Sequence, residues 1–136
     1  MNVLETEWWT LLVPPEWWAE SEDHSILVGD RDGVGAIEIS TLCRDEGVFS
    51  SADASAIAAE ESPEVSAWER VSVGDFEGVA GALSEDDAAI REWYLARDSL
   101  LLYITYSCED ENRGLDDAAV DEILETLAIA NSASSA

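Results

Sequence analysis

Any acid–base chemistry in this chain that uses an imidazole must use His24, its only histidine, which stands in Ser21-Glu-Asp-His24-Ser25 beside Glu22 and Asp23. A histidine flanked by carboxylates can act as an acid/base pair. In a run of small polar residues it reads instead as a solvated turn histidine. A Ser/His/Asp triad would have to recruit a distant serine, and no Gly-x-Ser-x-Gly elbow is present. The chain contains no lysine, which excludes a phosphate-binding P-loop and a Schiff-base mechanism. Cys43 and Cys108 lie outside any Cys-x-x-Cys pattern, and one histidine cannot complete a zinc set with them. Two free, mostly buried thiols are expected, with pairing left open.

Carboxylates are plentiful. Asp30-x-Asp32-Gly33 has the start of a calcium loop, but the further acids are out of register, so a Gly/Asp turn is expected. The runs Glu85–Asp86–Asp87 and Glu109–Asp110–Glu111 read as solvated hairpin ends. With 31 acids, too many carboxylate pairs exist for any one to signal glycoside hydrolysis. The residues thus supply no catalytic set, no cofactor-binding residues and no metal ligands, and a non-enzymatic protein without cofactor is expected.

The charge sets the class of partner. Thirty-one acids against six arginines give −25 in 136 residues. Such a chain repels nucleic acid and anionic membranes, so neither is an expected partner. The acids are spread evenly: eight in residues 1–34, seven in 35–68, eight in 69–102 and eight in 103–136. An interaction tail would show a block of like charge. Even spread points to a salt-adapted surface, as in a halophilic or marine bacterium. An acidic immunity or inhibitor protein for a basic toxin or nuclease is the alternative.

No apolar run approaches the ~20 residues that cross a bilayer. The N-terminus, MNVLETEWW, has acids where a signal peptide carries positive charge, so a cytoplasmic protein is expected. The length suits one domain, residues 1–130, followed by a small polar tail at 131–136.

The elements that must position these residues follow from pattern. WWTLLV is apolar on both alternating sets and reads as a strand buried on both faces, stopped by Pro14–Pro15. Short strands are expected at Trp17–Ala19, Ser25–Gly29 and Gly35–Leu42, the last with Ile37, Ile39 and Thr41 on one side. Ser50 to Asp53 forms a capping box, with Phe49 placed to staple onto Ala54, so a helix follows until Pro63. Four strands are expected at Ala67–Val73, Gly78–Leu83, Ala89–Arg97 and Leu100–Ser107, the last central in the sheet. A helix from Asp116 to Ala128 closes the domain, with Asp116 as N-cap and Leu115 able to staple onto Val120. Short turns between successive strands predict an α+β fold: an antiparallel sheet of six or seven strands with helices on both faces.

The opening Trp9-x-Leu-x-Val-Pro-Pro-x-Trp17, the Gly33-x-Gly-x-Ile-x-Ile-Ser40 strand, and the hairpin Arg91–Leu95 with Leu100–Tyr106 leading to Val120–Leu127 together resemble small bacterial domains of the Mog-one/PsbP-like fold. The resemblance spans nearly the whole chain and rests on the order of these segments. It implies an α/β/α sandwich. Similar folds serve as a Ran-binding protein, a photosystem II extrinsic protein, DcrB-like envelope proteins and chaperones of type VI secretion effectors. The shared theme is binding of another protein. The resemblance carries no functional residue over to this chain.

A protein-binding or adaptor domain, monomeric or homodimeric, is therefore the expected function, with a small-ligand carrier as a further alternative. The partner-facing residues are sought among exposed aromatics, since Trp, Tyr and Arg anchor interfaces. Of six tryptophans, four fall between Trp8 and Trp18. Alternation sends Trp9 and Trp17 inside and leaves Trp8 and Trp18 as the exposed pair. One aromatic from each of two later strands, Trp93 and Tyr106, is the second candidate patch.

Overall fold

The computed structural model describes residues 2–23 and 25–130. Ten strands and two α-helices run in the order β1 (Asn2–Glu5), β2 (Trp9–Val13), β3 (Trp17–Ser21), β4 (Ser25–Asp30), β5 (Gly35–Cys43), α1 (Ser51–Glu61), β6 (Glu69–Val73), β7 (Phe76–Glu85), β8 (Ala88–Arg97), β9 (Leu100–Glu109), α2 (Asp117–Leu124) and β10 (Ala128–Ile129). Seven strands form one antiparallel sheet in the order β3-β4-β5-β9-β8-β7-β6. The doubly apolar run Leu100–Tyr106 lies in its middle strand, as expected for a segment that is covered on both sides.

β1, β2 and β10 make a second, three-stranded antiparallel sheet. This corrects the reading of WWTLLV as a strand buried on both faces. β2 buries Trp9, Leu11 and Val13, while Leu12 points outward. It covers the large sheet instead of lying within it.

Alternation along β8 divides the core. Trp93 and Leu95 join β2 and the α2 residues Val120, Ile123 and Leu124 in one buried cluster. Tyr94 and Ala96 join Phe49, Ala54 and Ala58 in another, beneath α1. The expected α/β/α sandwich is therefore corrected. α1 packs on one face, whereas the other cover is a mixed layer of the small sheet and the short helix α2. A three-stranded sheet does the work expected of a longer second helix, which ends at Leu124 and not Ala128.

The helix starts divide in outcome. Ser50 and Asp53 form the expected reciprocal capping box, and Phe49 and Ala54 share a cluster. Asp116 caps α2 by position only, because its carboxylate accepts the Tyr106 hydroxyl instead. Leu115 is 68% exposed and makes no staple. The connection after α2 is fixed from the β6–β7 turn: Asp75 N–H donates to the Leu127 carbonyl, and Ile129 N–H donates to the Asp75 carboxylate. Gly74 allows this approach. Its φ is +57°, and a Cβ there would collide with the Leu127 carbonyl.

Candidate docking groove at Trp8

Trp8 and Trp9 are separated by a local hydrogen-bond knot. The Thr6 hydroxyl accepts from the N–H groups of Trp8 and Trp9, and Thr6 donates back to the Trp9 carbonyl. From the other side, Ala130 N–H donates to the Trp8 carbonyl. Alternation from this fixed point sends Trp9 fully into the core and leaves Trp8 half-buried. The Trp9 indole N–H finds its partner across the sheets, donating to the Thr41 hydroxyl at 2.9 Å.

A groove of about 460 Å³ opens beside Trp8, between the β1–β2 turn and the β3–β4 turn. Leu4, Trp8, Trp9, Ile26 and Ile39 give it apolar lining, shared with the hydroxyl residues Thr6, Ser21, Ser25 and Thr41. Its rim carries Glu5, Glu22 and Asp23, all exposed. No arginine lines it among the described residues. Apolar surface bounded by carboxylates favours an apolar group with cationic neighbours.

The other expected aromatics behave differently. Trp17 is buried and Trp18 half-buried, as alternation requires. Trp18 lies across Gly29, where any Cβ would strike its ring, on the opposite face of the large sheet. Trp8 and Trp18 therefore do not form one patch. Trp93 and Tyr106 are corrected as partner-facing candidates, being 3% and 2% exposed. Trp93 packs in the row of Ile104 and Ile39 under the guanidinium of Arg91, 4.6 Å from its ring centre. Tyr106 donates to Asp116 at 2.6 Å in the same core. Their side of the sheet is roofed by the small sheet and α2, an arrangement that alternation alone does not reveal.

His24 lies outside the described residues. Asp30 makes the expected turn, its carboxylate accepting from Asp32 N–H at 2.7 Å and its carbonyl from Gly33 N–H. Asp30 also stands near Asp116. Burial, together with the Asp30 and Asp32 charges, raises the Asp116 carboxyl above its ordinary range, against the lowering effect of the Tyr106 hydrogen bond. No group of three metal-capable side chains forms among the described residues. Cys43 and Cys108 are both free. Register places them at opposite ends of the β5–β9 ladder, and Cys43 is exposed, not buried as expected.

The two acidic runs meet in space, which their sequence separation hid. Asp110 N–H donates to the Asp87 carbonyl, and Arg113 pairs with Asp110. Sequence reasoning also missed a buried carboxylate, Glu92. Its Oε2 accepts from the Tyr103 hydroxyl at 3.3 Å, and its Oε1 has no partner among the described residues.

No protein-family profile matches the chain, and a search of curated proteins finds no match. Solved structures do match. A protein of Bacteroides thetaiotaomicron VPI-5482 superposes with TM-score 0.68 at 16% identity, over 93% of this chain and 46% of that one. This chain thus spans about half the length of that relative. LpqN of Mycobacterium tuberculosis, involved in cell envelope biogenesis, superposes with TM-score 0.59 at 17% identity, over 89% of this chain and 82% of that one. Cyanobacterial PsbP (CyanoP) of Synechocystis sp. PCC 6803 matches with TM-score 0.45 at 10% identity, over 90% and 86%. The first two likenesses, at such identities, establish a shared α+β fold and no shared activity.

Proposed function

We propose that this chain is a non-enzymatic protein-binding module whose Trp8 groove receives an apolar side chain flanked by Lys or Arg on a partner protein. The carrying observation is the groove itself: a half-buried tryptophan beside Leu4, Ile26 and Ile39, under a rim whose charged groups among the described residues are carboxylates. Tryptophan is favoured as an interface anchor because it presents much apolar area at small entropic cost. The kinship suggested by sequence with domains that hold other proteins supports the same reading. Exposed acids also occur on both helices and at several strand ends away from the groove, which favours a generally solvated surface over an inhibitor that mimics nucleic acid.

A cytoplasmic setting belongs to this proposal. The fold shared with LpqN makes the envelope the alternative setting, and fractionation of the source cells decides between them. Selection from a displayed peptide library tests the binding reading. The expected winners share one apolar anchor between basic residues and lose binding to the Trp8→Ala variant. Winners without basic residues, or with undiminished binding to that variant, would overturn it.

A further inference from the structure

The strand order leaves β3 at one edge of the large sheet, with β4 on its inner side. Two backbone bonds fix which of its groups face outward. Arg31 N–H donates to the Glu16 carbonyl, and Glu22 N–H donates to the Ser25 carbonyl. Antiparallel pairing engages alternate residues, so Trp18 and Glu20 also turn their backbone groups to β4. Trp17, Ala19 and Ser21 turn theirs to the free edge. The Pro14 carbonyl takes the Trp17 N–H, but no hydrogen bond among the described residues engages the outward groups of Ala19 and Ser21. On the docking reading of the Trp8 groove, we propose that its partner binds as an extended basic strand, added antiparallel to this edge at Ala19–Ser21.

The edge and the groove are continuous. Ser21 lines the groove, and with Ala19 it shares the face of the sheet on which Trp17 is buried. Both side chains are small and exposed, so a neighbouring strand meets no bulk on that side. In an antiparallel pair, directly opposed residues point to the same face. A partner residue opposite Ser21 therefore exchanges N–H and carbonyl bonds with it and sends its side chain toward Ile26 and Trp8. Main-chain bonds of this kind give affinity, and the groove selects the alternate side chain.

Charge selects the occupant. The residues before and after the anchor point the other way, and one of them lies beside Glu20, exposed on the opposite face. Trp18 on that face takes no part, because its ring lies back across Gly29. Carboxylates thus border the added strand on both faces: Glu20 on one, and Glu5, Glu22 and Asp23 at the groove rim on the other. Across neighbouring strands, like charges destabilise and opposite charges attract. A second copy of this chain, at −25, is repelled from the edge, whereas a strand with arginines around its apolar anchor is drawn to it. β6, the other edge of the large sheet, carries Arg70 and borders a hollow of only about 160 Å³, lined chiefly by polar residues.

The test adds a peptide with one leucine between arginine pairs to the full chain and follows amide hydrogen exchange. At saturation the Ala19 and Ser21 amides should exchange at least ~10-fold more slowly, since each gains an acceptor, while Trp18 and Glu20, already bonded to β4, change little. N-methylation of the leucine removes the N–H that meets the Ser21 carbonyl and should weaken binding ~10-fold, whereas N-methylation of either adjacent arginine, whose N–H faces solvent, should not. Ala19→Pro removes an outward N–H at a position that an edge strand tolerates, and should weaken the peptide by a similar factor. A Trp8 indole that moves saturably without protection of Ala19 and Ser21, or with protection on β1 instead, overturns strand addition and leaves the groove reading standing. A Trp8 indole that never moves overturns both. The exchange measurement needs only wild-type protein, so it decides the matter even where Ala19→Pro fails to fold.

Discussion

The Trp9 indole N–H donates to the Thr41 hydroxyl at 2.9 Å, a bond that ties the small sheet to β5 of the large one. Both residues line the groove beside Trp8. Thr41→Val keeps the shape and leaves the buried indole without an acceptor. Denaturant unfolding should show a loss of about 1–2 kcal/mol, the cost of stranding one buried donor. Trp9→Ala, which also empties a fully buried site, should cost about 3–5 kcal/mol.

Asp116 gives a pH signature. Burial and the neighbouring Asp30 charge hold its folded pKa above the ordinary 3.8. The folded state therefore keeps a proton longer than the unfolded state. Stability from this group is full below the unfolded value and falls as pH rises through the folded one. Asp30→Asn removes the like charge yet keeps an acceptor for Asp32 N–H. Thermal melts should show the variant more stable at pH 7, by ~2–4 °C for a domain of this size. The gain should shrink as pH falls through the unfolded value of 3.8, because the Asp116 carboxyl takes up its proton and no longer feels a neighbouring charge.

The β7–β8 hairpin turns on Asp86 and Asp87, both with positive φ, 51° and 66°. That geometry is the two-residue turn that favours Asn-Gly. The double variant Asp86→Asn, Asp87→Gly should raise stability by about 0.5–1 kcal/mol, since the glycine removes strain at the second position. It also lowers the charge where the two acidic runs meet. An unchanged or reduced unfolding midpoint would contradict this account of the turn.

Net charge of −25 makes a further expectation. Raising NaCl from ~10 mM to ~1 M shortens the screening length from about 30 to 3 Å, which relieves self-repulsion among exposed carboxylates. The melting temperature should climb across this range. A flat response would remove salt adaptation as the reason for the acidity.

Local rules in this chain were legible where one segment contains both partners. The Ser50–Asp53 capping box is such a case, as is the opposite facing of Trp8 and Trp9. The centrality of β9 was also visible, because an apolar run of that length needs cover on both sides. What stayed hidden depends on distant pairing. Asn2–Glu5 has no apolar alternation, and Ala128–Ile129 is two residues long, so the small sheet exists only through β2 between them. Once that sheet roofs one face, Trp93 and Tyr106 are enclosed, although their alternation was read correctly. The groove likewise needs Leu4, Trp8, Ile26 and Ile39 from four strands or turns, and Glu92 looked like one acid among 31.

The central claim is that the Trp8 groove is a docking site for an apolar anchor with basic flanks. Its most direct measurement follows the six indole N–H resonances while a peptide with one leucine between arginine pairs is titrated into the full chain. The account expects the Trp8 indole signal to move saturably, with Trp9 responding beneath it and Trp18 unmoved on the opposite face. A Trp8 signal that stays in place, or a response centred on Trp18, would contradict it.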